Sequence, residues 1–261
     1  MLPAIWHSGV LGPPGALNTC WEGMADTSFV QNHQFLTRED WDVSIPVGFH
    51  WDAGSFSHQE SVFLFSWNSL VSGGEDRPSK RFLFTLLKKS DIVEGTIDRV
   101  MTLFAWSMNA CLTGIQPATN HLGFEIPGGG KDWIADGYRG ILTQIRWDWD
   151  LFVQIFSFPR WDGADNMCWM CGASGVKDSP LAFLNCGVDA LWRDTRRSHE
   201  DYLEELLAAG KRPAVLLTEA LGLRLECVMV DVLHAVDQGI ASHIIANMFW
   251  WSCSRVRVGW T

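Results

Sequence analysis

Between Val43 and Trp51 every second residue is apolar: Val43, Ile45, Val47, Phe49 and Trp51. A period of two belongs to a strand with one face against a core. Asp52 follows directly, so a carboxylate is held at the tip of a rigid element, and Ala53-Gly54-Ser55 then reads as a turn. Ser61 to Trp67 and Arg81 to Leu87 are two more aromatic or β-branched runs, separated by Ser72-Gly73-Gly74 and Pro78. Three successive strands joined by short loops form a meander.

From Gly95 the period changes. Ile97, Val100, Met101, Phe104, Met108, Cys111 and Leu112 follow helical spacing, and Gly114 is the stop. Gln116 to Gly140 reads as loop; its Gly128-Gly129-Gly130 lacks the Lys-Ser/Thr that a phosphate loop needs. Gly140 to Trp149 is a short apolar run leading into Trp147-Asp148-Trp149-Asp150, after which Leu151, Phe152, Ile155 and Phe156 take helical spacing. Ser198 to Ala209 reads as a capped helix with acids in its first turn and Gly210 as terminator. Leu223 to Val230 is a further strand, and Asp231 opens a helix whose Leu233, Val236, Ile240, Ile244 and Met248 share a face. Residues 1–42, rich in Gly, Pro, Asn and Trp without a sustained period, read as an irregular lead-in.

At 261 residues and 47% hydrophobic content the chain suffices for one large domain or two small ones with a packed core. The fifteen tryptophans imply either many flat contacts in that core or a surface that is normally covered. A net charge of −10 disfavours a chain-wide grip on phosphates, which needs clustered Lys and Arg. The densest cationic segment, Arg193, Arg196 and Arg197, is short enough to be a solvated loop. Seven cysteines, an odd count that includes a CxxC, fit reduced thiols in an intracellular compartment. No signal-peptide pattern stands at the start. Val100 to Phe124 lacks formal charges but is broken by Asn109, Gln116, Pro117, Asn120 and His121, so it reads as a buried helix and loop with no membrane span.

Three features carry candidate chemistry. Asp52 and Asp148, at the ends of two strands in one sheet, would offer hard oxygen ligands to Mg²⁺; each also has a structural alternative, Asp52 in a turn and Asp148 or Asp150 as the N-cap of the next helix. Cys168 and Cys171 are spaced to hold one soft ion such as Zn²⁺, with Cys186, His199, Cys227 and His234 as candidates for the remaining ligands. Asp231-Val232-Leu233-His234 joins an acid to a histidine, and Asp237 is spaced to share a helix face with His234.

The order of these features resembles DDE transposases of the CACTA (En/Spm) and Plavaka type over about residues 43 to 250. In that family a strand ends in a first Asp, a second Asp begins a helical segment followed by a CxxC knuckle, and a (C/D)xxH signature comes later. The matching positions are Asp52, Asp148, Cys168 with Cys171, and Asp231 with His234. The resemblance implies an α/β, RNase H-like fold: a mixed sheet with flanking helices and a CxxC-bearing insertion. It divides the chain into a lead-in (1–42), a core portion (43–160) and a portion carrying the CxxC and the (C/D)xxH helix (161–261). It also implies Mg²⁺ on Asp52 and Asp148 for phosphodiester cleavage and strand transfer, zinc at the knuckle, DNA as partner, a nuclear location and room for an oligomer.

Two departures accompany the match. The family places a third acid, usually Glu, on a helix beyond the (C/D)xxH motif, and Gln238 to Thr261 contains no Asp or Glu; the expectation is a truncated or inactive copy. Trp147 stands where a small residue is expected, which keeps Asp150 as a substitute for Asp148. Two other readings compete. His58-Gln59-Glu60 with the CxxC suggests a zinc-dependent nucleobase deaminase, although Met167 stands where that signature has Pro. The other is a non-enzymatic, zinc-stapled domain that binds a protein partner through tryptophans.

Overall fold

The structure is a computed structural model that describes residues 10–55, 57, 60–72, 81–131, 134–160, 163, 165–230, 245 and 248. Five strands form one mixed sheet in the order β3-β2-β1-β4-β5: β1 is Ser44–Ser55, β2 Ser61–Ser69, β3 Phe82–Lys88, β4 Arg139–Trp147 and β5 Val228–Val230. The first three are an antiparallel meander, whereas β4 lies parallel to β1 and β5 parallel to β4. The protein is therefore α/β, with helices flanking a mixed sheet.

β1 is the central strand, and both of its faces are buried from Ser44 to Trp51. On the first face Phe49 stacks on Phe104 at a centroid distance of 3.6 Å, with Phe65 and Trp147 at 6.3 and 6.0 Å. Phe104 belongs to the helix Thr96–Thr113, bounded by left-handed Gly95 and Gly114 as the sequence predicts. Pro46 is tolerated in a central strand because of its place. Its carbonyl accepts from Leu70, just past the Val47↔Ser69 pair that ends the β2 ladder, so the N–H it lacks would have faced no β2 residue in that ladder.

Three readings of the sequence change. Ala53-Gly54-Ser55 is not a turn: β1 continues to Ser55, paired with Phe63, Val62 and Ser61, because a partner ladder overrides the low strand propensity of small residues. Only Val228–Val230 of the run from Leu223 is strand. Leu225–Cys227 is a 3-10 turn that carries Leu225 and Cys227 into the core. The lead-in contains a nine-residue helix, Ala16–Met24, whose Trp21 is fully buried and donates Nε1–H to Ser44 O at 2.7 Å. Short isolated helices are unstable in water, so this one depends on the tertiary anchor and leaves little sequence signal. Arg139, opening β4, pairs with Asp40 at 2.6 Å and ties the lead-in to a second strand; its hydrogen bond holds the Asp40 carboxyl below the usual range. Every described tryptophan is buried or half-buried, and all but Trp106 and Trp192 belong to or pack against the core. Among the described residues no helix is long and apolar enough to cross a membrane.

His33 is a buried titratable group within this packing. Its Nδ1 accepts the Phe35 N–H at 3.2 Å, and Phe29 meets the ring edge-on at 5.0 Å. Gly222, with φ +77, backs the ring so closely that a β-carbon there would stand 2.5 Å from Nε2. Burial, aided by the Arg224 charge, pushes the His33 pKa down to about 4. The unfolded chain takes up that proton near 6.5. The stability due to neutral His33 is thus complete above pH 6.5 and is lost as pH falls from there towards 4. His33→Asn keeps an acceptor for Phe35 and does not titrate. Denaturant melts at pH 7 and pH 4 are expected to show that it removes roughly 2 kcal/mol of the wild-type acid loss; an unaltered pH dependence would show that His33 is not the group responsible.

Candidate metal centre

The two predicted acids stand at neighbouring positions of parallel strands. Trp51 and Trp147 are the last β1–β4 pair, and each is followed directly by its acid. Strands in such a pair run about 4.8 Å apart. Alternation carries Trp51 and Trp147 to the aromatic first face, where their rings meet at 5.2 Å, so Asp52 and Asp148 leave on the second face. Asp52 is exposed, and its Oδ1 accepts the Ala53 N–H at 2.8 Å. Asp148 is also the N-cap of the helix Trp149–Phe156, its Oδ1 accepting from Leu151 N at 2.7 Å. The capping role foreseen as an alternative is real, and it engages only one of the two carboxylate oxygens. In donor chemistry, carboxylate oxygens are what a hard divalent cation takes.

Asp150 does not share this place. It lies in the first turn of the helix, largely exposed, with Arg160 Nη2 at 3.7 Å. Asp231 comes next in sequence after Val230, and Val230 pairs with Trp147. Asp231 and His234 themselves lie outside the described residues, as does His58 of the HxE; Glu60 pairs with Lys88.

The CxxC forms a compact turn. Met170 N–H donates to Cys168 Sγ at 3.3 Å, and Arg197 Nη1 donates to the carbonyls of Cys168 at 2.9 Å and Cys171 at 2.6 Å. Burial first, and then the neighbouring Cys171 thiol, raises the Cys168 pKa; the Met170 N–H opposes them. The two thiols are close enough to interact, and two cysteines at this spacing are the donor type that one soft ion takes. The rest of a tetrahedral zinc site is not assembled from described residues: no three His, Cys, Asp or Glu side chains among them gather as metal ligands. Cys186 is exposed, with its thiol towards Phe183 O. Cys227 is buried and donates to Leu142 O at 3.8 Å, with its pKa pushed up to about 12 by burial. His199 is buried, which lowers its pKa, and it begins the helix His199–Ala208 behind the capping residue Ser198. Of the cationic trio, Arg197 serves the knuckle and Glu205, and Arg193 lies over Trp192 while donating to Gly187 O.

Sequence reasoning missed the knuckle's coupling to the acid-bearing helix. Trp169, between the two cysteines, packs on Trp149 at 5.0 Å and stacks on Phe158 at 5.5 Å. No spacing rule predicts that contact. An apolar cavity of about 180 Å³, lined by Val47, Phe104, Met108, Cys111 and Gly140, opens at the other end of the sheet and includes neither acid.

The double duty of Asp148 separates stability from metal chemistry. Asn caps a helix about as well as Asp, whereas Ala does not. Asp148→Ala is expected to lower unfolding free energy by about 1 kcal/mol and Asp148→Asn by no more than a few tenths; equal stabilities for the two variants in urea titrations would remove the cap from the account. Scans of family models, of curated proteins and of solved structures found no match to this chain.

Proposed function

We propose that this chain is a DDE transposase-like protein on an RNase H-like core, with Asp52 and Asp148 as the ligands of a divalent metal. The observation that carries the reading is the parallel β1–β4 register, whose last pair, Trp51 with Trp147, is followed on each chain segment by one of the two acids. The meander followed by parallel strands, with helices on the sheet, also agrees with what the resemblance implies. Asp52 and Asp148 would hold the divalent cation, which would supply the Lewis acidity for activating a water or 3′-hydroxyl and for stabilising the displaced oxygen. The chain's own part is to hold the carboxylates: Asp52 on a strand paired on both sides up to Trp51, Asp148 by its cap to Leu151. Cys168 and Cys171 would supply two zinc ligands, the others coming from outside the described residues. DNA is the partner in this reading, and with a chain charge of −10 its contacts are local. Residues 238–261 contain no Asp or Glu, so the helical third acid of the family has no counterpart among them, and slow or no strand transfer is expected of residues 1–261 by themselves.

Metal binding and DNA nicking test the two halves separately. Mn²⁺, used as a paramagnetic stand-in for Mg²⁺, is expected to bind the wild-type protein and to bind at least tenfold more weakly to Asp52→Asn and Asp148→Asn, both folded by circular dichroism. Supercoiled plasmid incubated with Mg²⁺ is expected to be nicked slowly or not at all. A wild-type protein that fails to bind Mn²⁺, or binding that survives both substitutions, would sink the metal reading; fast nicking that Asp52→Asn abolishes would overturn the inactive-copy part alone.

A further inference from the structure

The alignment of Asp148 with Asp52 depends on a single irregularity. Along the first part of the β1–β4 ladder Pro46 pairs with Ile141 and Val47 with Leu142, but Gly48 then pairs with Gln144. One residue of β4, Thr143, is therefore extra, as in a β-bulge. Were the ladder regular, Asp52 would stand opposite Trp147, and Asp148 would be one position out and on the other face. The bulge moves every later residue of β4 by one, which brings Arg146 opposite His50 and Trp147 opposite Trp51.

A polar cross-link lies just beyond that bulge. Arg146 reaches from β4 over the backbone of β1 to β2, where its Nη2 donates to Asn68 Oδ1 at 2.7 Å. It crosses at Gly48: a β-carbon there would meet Arg146 Nη2 at 2.2 Å and Asn68 Oδ1 at 3.1 Å. Asn68 is itself oriented, because its Nδ2 donates to Ser69 O at 2.9 Å. The same Oδ1 lies 2.9 Å from His50 Nε2, and an amide oxygen only accepts, so Nε2 carries a proton. His50 from β1 and Arg146 from β4 thus converge on the amide oxygen of Asn68 in β2, each two residues before an acid.

We infer that Arg146, Asn68 and Gly48 are positioning residues: they lock the shifted β1–β4 register and thereby set Asp148 level with Asp52. This rests on the metal reading of the two acids only for its consequence; the lock itself is a statement about register. Upstream of the bulge the apolar pattern leaves the register open, since Ile141 and Leu142 are adjacent buried residues and either can face the aromatic side. Downstream, buried Ile145 and Trp147 favour the shift, and the charge on Arg146 adds to that preference because the regular register would turn it towards Phe49 and Trp51.

The test separates the lock from the metal. Asn68→Leu removes the shared acceptor at similar size, and Arg146→Met removes the guanidinium but keeps the stem. Cross-strand backbone NOEs between Gly48 and Gln144 report the register, and Mn²⁺ titration reports the acid pair. The expected result is that in both variants the Gly48–Gln144 NOEs are lost or exchange-broadened and Mn²⁺ affinity falls at least tenfold. Asn68→Asp, which still accepts from Arg146 and His50, is expected to retain the wild-type NOEs, and it answers for the lock should the other variants not fold. Wild-type NOEs in Asn68→Leu or Arg146→Met, or their loss in Asn68→Asp, would overturn the inference. Absence of Mn²⁺ binding in the wild type would reject the metal reading and leave the register result to stand by itself.

Discussion

Phe49 lies flat on Phe104, and from that contact the rest of the sheet takes its place. A residue at the middle of the central strand is pressed against the middle of the longest described helix, with Phe65 and Phe84 from β2 and β3 and Trp147 from β4 around it. Aromatic faces stacked this closely exclude water over a large area and restrict sliding in two directions. The four strands that supply these rings therefore have little freedom to shift relative to the helix, and the carboxylates one residue beyond Trp51 and Trp147 inherit that rigidity.

The two faces of the sheet use different physics. The first is aromatic and fixes depth, because a ring fits wherever its volume is accommodated. The second face carries His50, Asn68 and Arg146, whose directional bonds fix position along the strand. Burying these groups is tolerable only while they are partnered, and that requirement makes the register specific. The knuckle is attached by a third means: Arg197 holds two of its carbonyls, and Trp169 anchors it to Trp149 on the helix that Asp148 caps. The candidate zinc turn and the candidate metal acid are thus mechanically joined, although 20 residues separate them in sequence.

Much of the architecture was legible because it rests on local rules. The alternation from Val43 to Trp51 gave the central strand, Gly95 and Gly114 gave the bounds of the long helix, and Ser198 gave a capped helix in which Asp201 completes the capping box. The failures were places where local preference lost to a partner. Ala53 to Ser55 looks like a turn until β2 pairs with it, and Ala16–Met24 buries only Leu17 and Trp21, one i, i+4 step that is too short to read as a period.

For the site, the sequence by itself determined which residues are acids, that each follows an apolar run, and that two cysteines stand at ligand spacing. It could not choose between Asp148 and Asp150, since both have the same parity after Trp147. Only the tertiary structure separates the two positions. A bulge of one residue, invisible to any periodicity, sets Asp148 beside Asp52, and the turn into the helix carries Asp150 away to Arg160. Register is a relation between strands, and such a relation is fixed by contacts such as Arg146 to Asn68, 78 residues apart, which no local pattern encodes.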